Sequence, residues 1–275
     1  MTDTDREIPW RQGHVLGSAL AAALDLRHPE SPGDTVVVVV SHDCDLVNEE
    51  KEPNAEVVIG RTIAALGAAS YAKVARRLHI EFSKQSGNVA VELEAPLKRT
   101  VSKACLVGQS PNLDFRLDAK NRETLQRWLA ARYRRTALPD EFNRRLKAKL
   151  IEKVKKALDP AGPYVRAVFL DFDDGATVER KGPSDLYVLQ VTLLYDSAKN
   201  EPEAYAAAEK AAEKIEDIFE GEFRSSETGQ WRDIHFTGCD VISDNAITVA
   251  QSELLRRWDL DDRSLRREPP ETMLD

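Results

Sequence analysis

Apolar positions along the chain fall into short runs and helical stripes separated by polar turns. The densest run is DTVVVVVS, residues 34–41, a β-branched stretch entered through SPGD and left through HDCD. Such a run predicts a strand buried on both faces. After the turn-rich NEEKEPN, AEVVIGRTI predicts a second strand. KVARRLHIEFSK reads as a helix end passing into a strand, NVAVELE alternates as a further strand, and ACLVGQ is another short apolar piece. VLGSALAAALDL, ahead of the valines, is rich in Ala and Leu and reads as helical.

From about residue 120 the period changes. RETLQRWLAARYRR places Leu125, Leu129 and Tyr133 on one stripe beside Trp128. After Pro139, DEFNRRLKAKLIEKVKKAL predicts a single helix with Phe142, Leu146, Leu150 and Val154 facing a core, closed by DPAGP. YVRAVFLDF and SDLYVLQVTLLYD then predict strands. EPEAYAAAEKAAEKIEDIF predicts an amphipathic helix with Tyr205, Ala208, Ala212, Ile215 and Phe219 inward, WRDIHFTGCDVIS a third strand, and AITVAQSELLRRW a last helix. The expectation is an α+β protein with three parts. Residues 1–118 form a β-rich N-terminal domain and 119–160 a basic helical hairpin. Residues 161–275 form a C-terminal β-β-α-β-α unit with helices on one face of a sheet.

Composition sharpens only part of this picture. The 275 residues are 42% hydrophobic and 31% charged, an ordinary globular balance. No apolar run approaches the about eighteen residues of a membrane span. The opening MTDTDREIPW lacks the basic and apolar regions of a secretory leader, and three scattered cysteines make no disulfide framework, so a cytoplasmic protein is expected. The net charge of −8 conceals a basic segment, since residues 121–157 hold twelve Lys/Arg against four Asp/Glu. Partners respond to such local fields, so a nucleic acid or an acidic protein partner is expected there. Arg145, Lys149, Lys153 and Lys156 fall on one stripe and Arg132, Arg134 and Arg135 stand in the preceding helix, near aromatics suited to stacking on bases.

The candidate chemistry lies in SHDCD, residues 41–45. If the strand persists, His42 and Cys44 share one face and Asp43 and Asp45 the other. Asp43 and Asp45, with Glu56, would suit Mg²⁺ or Mn²⁺ and phosphodiester hydrolysis by metal-activated water. His42 and Cys44, joined by the similar strand end bearing His235 and Cys239, would suit zinc. Cys44 as a nucleophile would need His14 or His235 as its base. The structural alternative makes Ser41, Asp43 and Asp45 caps of a turn, with His42 and Cys44 packed beneath it. In FLDFDDG, Asp171, Asp173 and Asp174 read as turn chemistry rather than a calcium loop. Glycine-rich phosphate loops are absent.

WRQGHVL followed by VVVVSHDCDLVN, with WDLDDRSL near the end, resembles uncharacterised bacterial proteins carrying an SHDCDL-type stretch. That resemblance implies a mobile-element or phage-defence setting and no reaction. The glycine-then-strand opening also resembles the barrel of MazF/PemK-type toxins. AEVVIGR resembles a strand of the restriction-type nuclease core, but Val57 and Val58 follow Glu56 where that core carries a lysine. The first expectation is therefore a nucleic-acid-binding protein with metal-dependent nuclease chemistry at Asp43 and Asp45. Two alternatives stand beside it. One is a non-catalytic interaction component whose basic helices dock an acidic partner, and the other is a zinc- or cysteine-dependent hydrolase.

Overall fold

The five valines lie between two cores. In a computed structural model, which describes residues 9–131, 138–172, 178–248 and 255–260, strand β1 (Thr35–Val39) sends Val36 and Val38 to one face and Val37 and Val39 to the other. Val36, Val38 and Val40 pack with Val58, Leu78, Phe82, Leu93, Leu125 and Trp128. Val37 and Val39 pack with Trp10, Leu16, Leu46, Val57 and Ile59. A strand apolar on both faces is stable only when both are covered, and the surrounding segments supply the covers.

The chain divides into two units, residues 1–133 and 134–275. The first helix of the expected basic hairpin therefore packs in the first unit and the remainder in the second. The fold is α+β throughout, with two four-stranded sheets and six α-helices among the described residues.

The first unit holds an antiparallel sheet in the order β1-β2-β4-β3, where β2 is Asn54–Ile63, β3 Arg77–Lys84 and β4 Gly87–Ser102. Helices α1 (Ser18–Ala23), α2 (Asp43–Val47) and α3 (Ala119–Ala131) belong to it. Both sheet edges are covered by backbone. Residues 13–16 run along β1 (Gly13 N to Val39 O, 2.8 Å; Val39 N to His14 O, 2.8 Å; Leu16 N to Val37 O, 2.9 Å), and Ser83 of β3 pairs with Arg116. ACLVGQ is not a strand: Lys103–Leu106 forms a single 3₁₀ turn.

Two close fits hold the sheet. At the β2 irregularity, a Cβ on Gly60 would stand 2.2 Å from the carbonyl oxygen of Glu92, so only glycine lets β2 and β4 approach there. On β4, buried Glu92 accepts from His79 (3.0 Å) and from Arg61 (3.0 and 3.2 Å). Gly67 donates its N–H to the other ring nitrogen of His79 at 2.9 Å, so the nitrogen facing Glu92 carries the proton. The hydrogen bond from His79 draws the Glu92 carboxyl down from 4.5 to about 2; burial opposes the shift and Arg61 and Arg77 reinforce it.

The second unit orders its sheet β7-β6-β5-β8, with β5 Val165–Phe172, β6 Tyr187–Tyr195, β7 Ile234–Ser243 and β8 Arg256–Arg257. β5 and β6 are antiparallel, whereas α6 (Glu201–Phe223) carries the chain across so that β7 runs parallel to β6. The helices lie over one face: Phe142 stacks on Phe172 (5.0 Å between ring centres) and Phe219 on Phe236 (4.7 Å). Within the expected last helix, 249–254 lie outside the described residues, and Arg256–Arg257 pair with β5 as a strand because Trp258 is buried and its N–H donates to Val168 O at 2.8 Å. Tyr205, expected inside, is 42% exposed and donates its hydroxyl to Glu209. The single helix expected over 140–158 is two, α4 (Asp140–Leu146) and α5 (Ala148–Leu158), separated by Lys147 at φ 39°. Phe142, Leu146, Leu150 and Val154 are buried as the stripe predicts.

Replacing Gly60 with Ala is expected to lower stability by about 1–3 kcal/mol, measured by urea unfolding, because β4 backbone must shift to admit the methyl group. The Glu92 carboxylate gives a second expectation. Its folded pKa is depressed, so its stabilisation is complete above about pH 4.5 and fades as the pH falls towards 2. Glu92→Gln should flatten that part of the stability-against-pH curve and, by breaking a buried pair, cost roughly 3 kcal/mol at neutral pH.

Candidate functional site

The SHDCD stretch does not continue the strand. β1 ends at Val39 and a five-residue helix, α2, begins at Asp43. In a helix, residues two apart do not face each other, so neither Asp43 and Asp45 nor His42 and Cys44 form the same-face pairs that strand alternation predicted. His42 is the N-cap, its Nδ1 accepting the Cys44 N–H at 3.4 Å. Asp43 Oδ1 accepts the backbone N–H of Gln12 at 2.7 Å, and Ser41 Oγ accepts that of Glu56 at 2.7 Å. Ser41 and Asp43 thus bond backbone donors, as the structural alternative expects, but donors brought from distant segments. His42 and Cys44 are exposed rather than packed beneath the turn. Buried Lys103 closes the far end of α2 by donating to the carbonyl oxygens of Asp45 and Asn48 (3.0 Å to Asn48).

These bonds join WRQGHVL and SHDCDL, the two stretches that stand out in the sequence. Gln12 also gives its side-chain amide to Val40 O at 2.8 Å and accepts from Gln126 of α3 at 2.8 Å. Between α2, β2, β4 and α3 lies a cleft of about 830 Å³. Gln12, Ser41 and Val40 line it together with the carboxyl-bearing Asp45, Glu52 and Glu56, and Leu129 and Ala130 form an apolar wall. Lys98 of β4 pairs with Glu56 at 2.7 Å. A lysine does therefore stand beside Glu56, but it comes from the neighbouring strand. Gln12, Lys98 and Gln126 are among the lining residues that sequence spacing could not find, because each reaches the cleft through backbone pairing or helix packing.

The other candidate residues are placed as follows. His14 accepts the Arg11 N–H at 3.1 Å. Burial lowers its pKa, as do Arg122 and Arg11, against the opposing pull of Asp43; no hydrogen bond joins it to Cys44 among the described residues. His235 and Cys239 lie in the second unit, four residues apart on β7, which is roughly 13 Å of extended strand. His235 lies against the Trp231 ring, and burial, followed by Glu216 and Asp240, pushes the Cys239 thiol up. Among the described residues no three His, Cys, Asp or Glu side chains are grouped to hold a metal ion.

The basic residues divide into two classes. Arg145 is buried rather than presented to phosphates, its guanidinium donating to Gly182 O, Asp185 O and Asp233 O at 2.6–2.9 Å and to Glu141 at 3.0 Å. A buried guanidinium needs such acceptors, which is why the stripe reading fails at this position. Arg144, Lys147 and Lys155 pair with Glu141, Glu222 and Glu152. Lys149, Lys153 and Lys156 remain as an exposed row on α5, with no ion pair among the described residues. Arg132, Arg134, Arg135 and Tyr133 lie outside the described residues, as do Asp173 and Asp174. Trp128 is buried with its Nε1–H on Val74 O at 3.2 Å, so it presents no face to a base.

Comparison with known proteins finds no matching family model, no curated relative and no matching solved structure. No described helix is long and apolar enough to cross a membrane.

The two aspartates should separate on mutation. Asp43→Ala is expected to destabilise the protein by about 1–2 kcal/mol because the Gln12 N–H loses its acceptor. Asp45→Asn, whose side chain makes no described contact, should stay within about 0.5 kcal/mol of the parent in the same urea titration.

Proposed function

We propose that the protein is a non-catalytic interaction component whose helix α5 docks an acidic partner. The observation that carries this reading is the exposed row of Lys149, Lys153 and Lys156 on a helix whose other lysine, Lys155, is paired inside its own unit. Three cations at successive turns give a field that steers an acidic surface onto one face. Helix α6 beside α5 carries eight acidic and two basic residues, so part of the basic segment is answered within the chain, through Lys147 and Glu222. The engagement of Ser41, His42 and Asp43 with backbone N–H groups supports a scaffolding rather than a catalytic part for SHDCD. A phosphate backbone would meet the same lysine row, so the test must separate the two polyanions.

Fluorescence anisotropy with labelled polyglutamate, single-stranded DNA, duplex DNA and RNA of matched charge, across a salt series with and without Mg²⁺ or Mn²⁺, does so. Polyglutamate is expected to bind, and the triple variant K149E/K153E/K156E to weaken it by about tenfold or more. Nucleic acid bound more than about tenfold tighter than polyglutamate of equal charge, with a log–log salt slope near −2 to −3, would transfer the surface to nucleic acid. Decay of signal only with metal would restore the nuclease reading. No binding by any polyanion would remove α5 as a docking surface.

A further inference from the structure

The lining of the first-unit cleft is arranged by depth. At its base are Ser41 and Gln12, 8% and 6% exposed. Ser41 Oγ receives the Glu56 N–H, yet its own hydroxyl hydrogen is donated to no described group. One hydrogen of the Gln12 amide goes to Val40 O, and the second meets no described acceptor. Both side chains are held in place by the partners they already have, and each keeps one hydrogen that no described group accepts, which a group entering the cleft can take. At the rim stand Asp45 and Glu52, exposed carboxylates with no described ion pair, together with Glu56, which Lys98 already neutralises. Among the described lining residues, three carboxylates stand against Lys98, with His42 beside them, so this rim is net negative while the base offers hydrogens. Leu129, Ala130 and Val40 supply apolar surface between them.

We infer that this cleft binds an alkyl-linked cation that also carries a neutral hydrogen-bond acceptor, the chemistry of an arginine or lysine residue with its carbonyl in amide linkage. The ammonium or guanidinium lies against Asp45 and Glu52, the aliphatic stem covers Leu129 and Ala130, and the carbonyl oxygen accepts from Ser41 and Gln12. A free carboxylate in place of the amide is repelled by the unbalanced rim. The volume, about 830 Å³, lies within the range of small-ligand pockets and takes one such residue with its flanking peptide units.

Isothermal titration with N-acetylarginine amide, free arginine, N-acetylglutamine amide and a glycine-flanked arginine pentapeptide tests this on the full chain. Capped arginine is expected to bind, capped glutamine not, and free arginine more weakly. The D45N/E52Q variant, altered only at exposed side chains without described contacts, should lose about tenfold for capped arginine. A pentapeptide tighter than capped arginine identifies a peptide as the source of the residue, and equal affinities a small amine derivative. Equal binding of capped arginine and capped glutamine would overturn the inference, as would an unchanged affinity in D45N/E52Q or no binding of any cation.

Discussion

Burial of β1 on both faces is the constraint on which the first unit rests. Five consecutive valines cannot leave either face in water without forfeiting about 1.5 kcal/mol or more per side chain, so two separate layers must cover them. Leu125 and Trp128 from α3 close one side, and Trp10, Leu16 and Leu46 the other. The pairing of residues 13–16 along β1 extends the same alternation, with Val15 in one core and Leu16 in the opposite one. Once both layers are in place the chain leaving β1 has little freedom. It must turn away from the sheet at once, and α2 with its His42 cap makes that turn.

The polar groups near that turn follow from the same demand. The N–H groups of Gln12 and Glu56 lie close to the core and need acceptors, and Asp43 and Ser41 provide them. Lys103 answers the carbonyls at the other end of α2. The cleft arises because these bonds hold α2 against β2 and β4 on one side while Gln12 ties the same region to Gln126 of α3 on the other. Gln12 and Ser41 both fix the turn and line the cleft, whereas Asp43 serves the turn alone and Asp45, two residues on, lines the cleft with no described partner.

The same contrast organises charge elsewhere. Glu92, Arg145 and Lys103 are buried, and each is surrounded by partners, as the desolvation of an ion requires. Lys149, Lys153, Lys156, Asp45 and Glu52 are exposed and hold none among the described residues. A run of charge in the sequence contains both kinds, because helical spacing gives the face of a residue but not what the opposite element presents to it. Arg145 sits on the lysine stripe by spacing, and only the convergence of three carbonyls from 182, 185 and 233 takes it inward.

Local pattern determined much of this protein. The β-branched run, the apolar strands β2 and β6, the alternation of β4, the Phe142–Val154 stripe and the long amphipathic α6 follow from short apolar runs and from periods of two and 3.6 residues, which are properties of the backbone itself. The α+β class follows from them. Register, edge covering and helix breaks depended on tertiary structure. Lys147 interrupts a stripe whose apolar period runs on unbroken, and Arg256–Arg257 become a strand because β5 offers an unpaired edge and Trp258 is buried beside it. The cleft belongs wholly to this second class. Asp43 and Asp45 are equivalent acids in the sequence, but one meets Gln12 and the other faces open volume, since hydrogen-bond partners thirty residues distant are chosen by packing and leave no periodic trace along the chain.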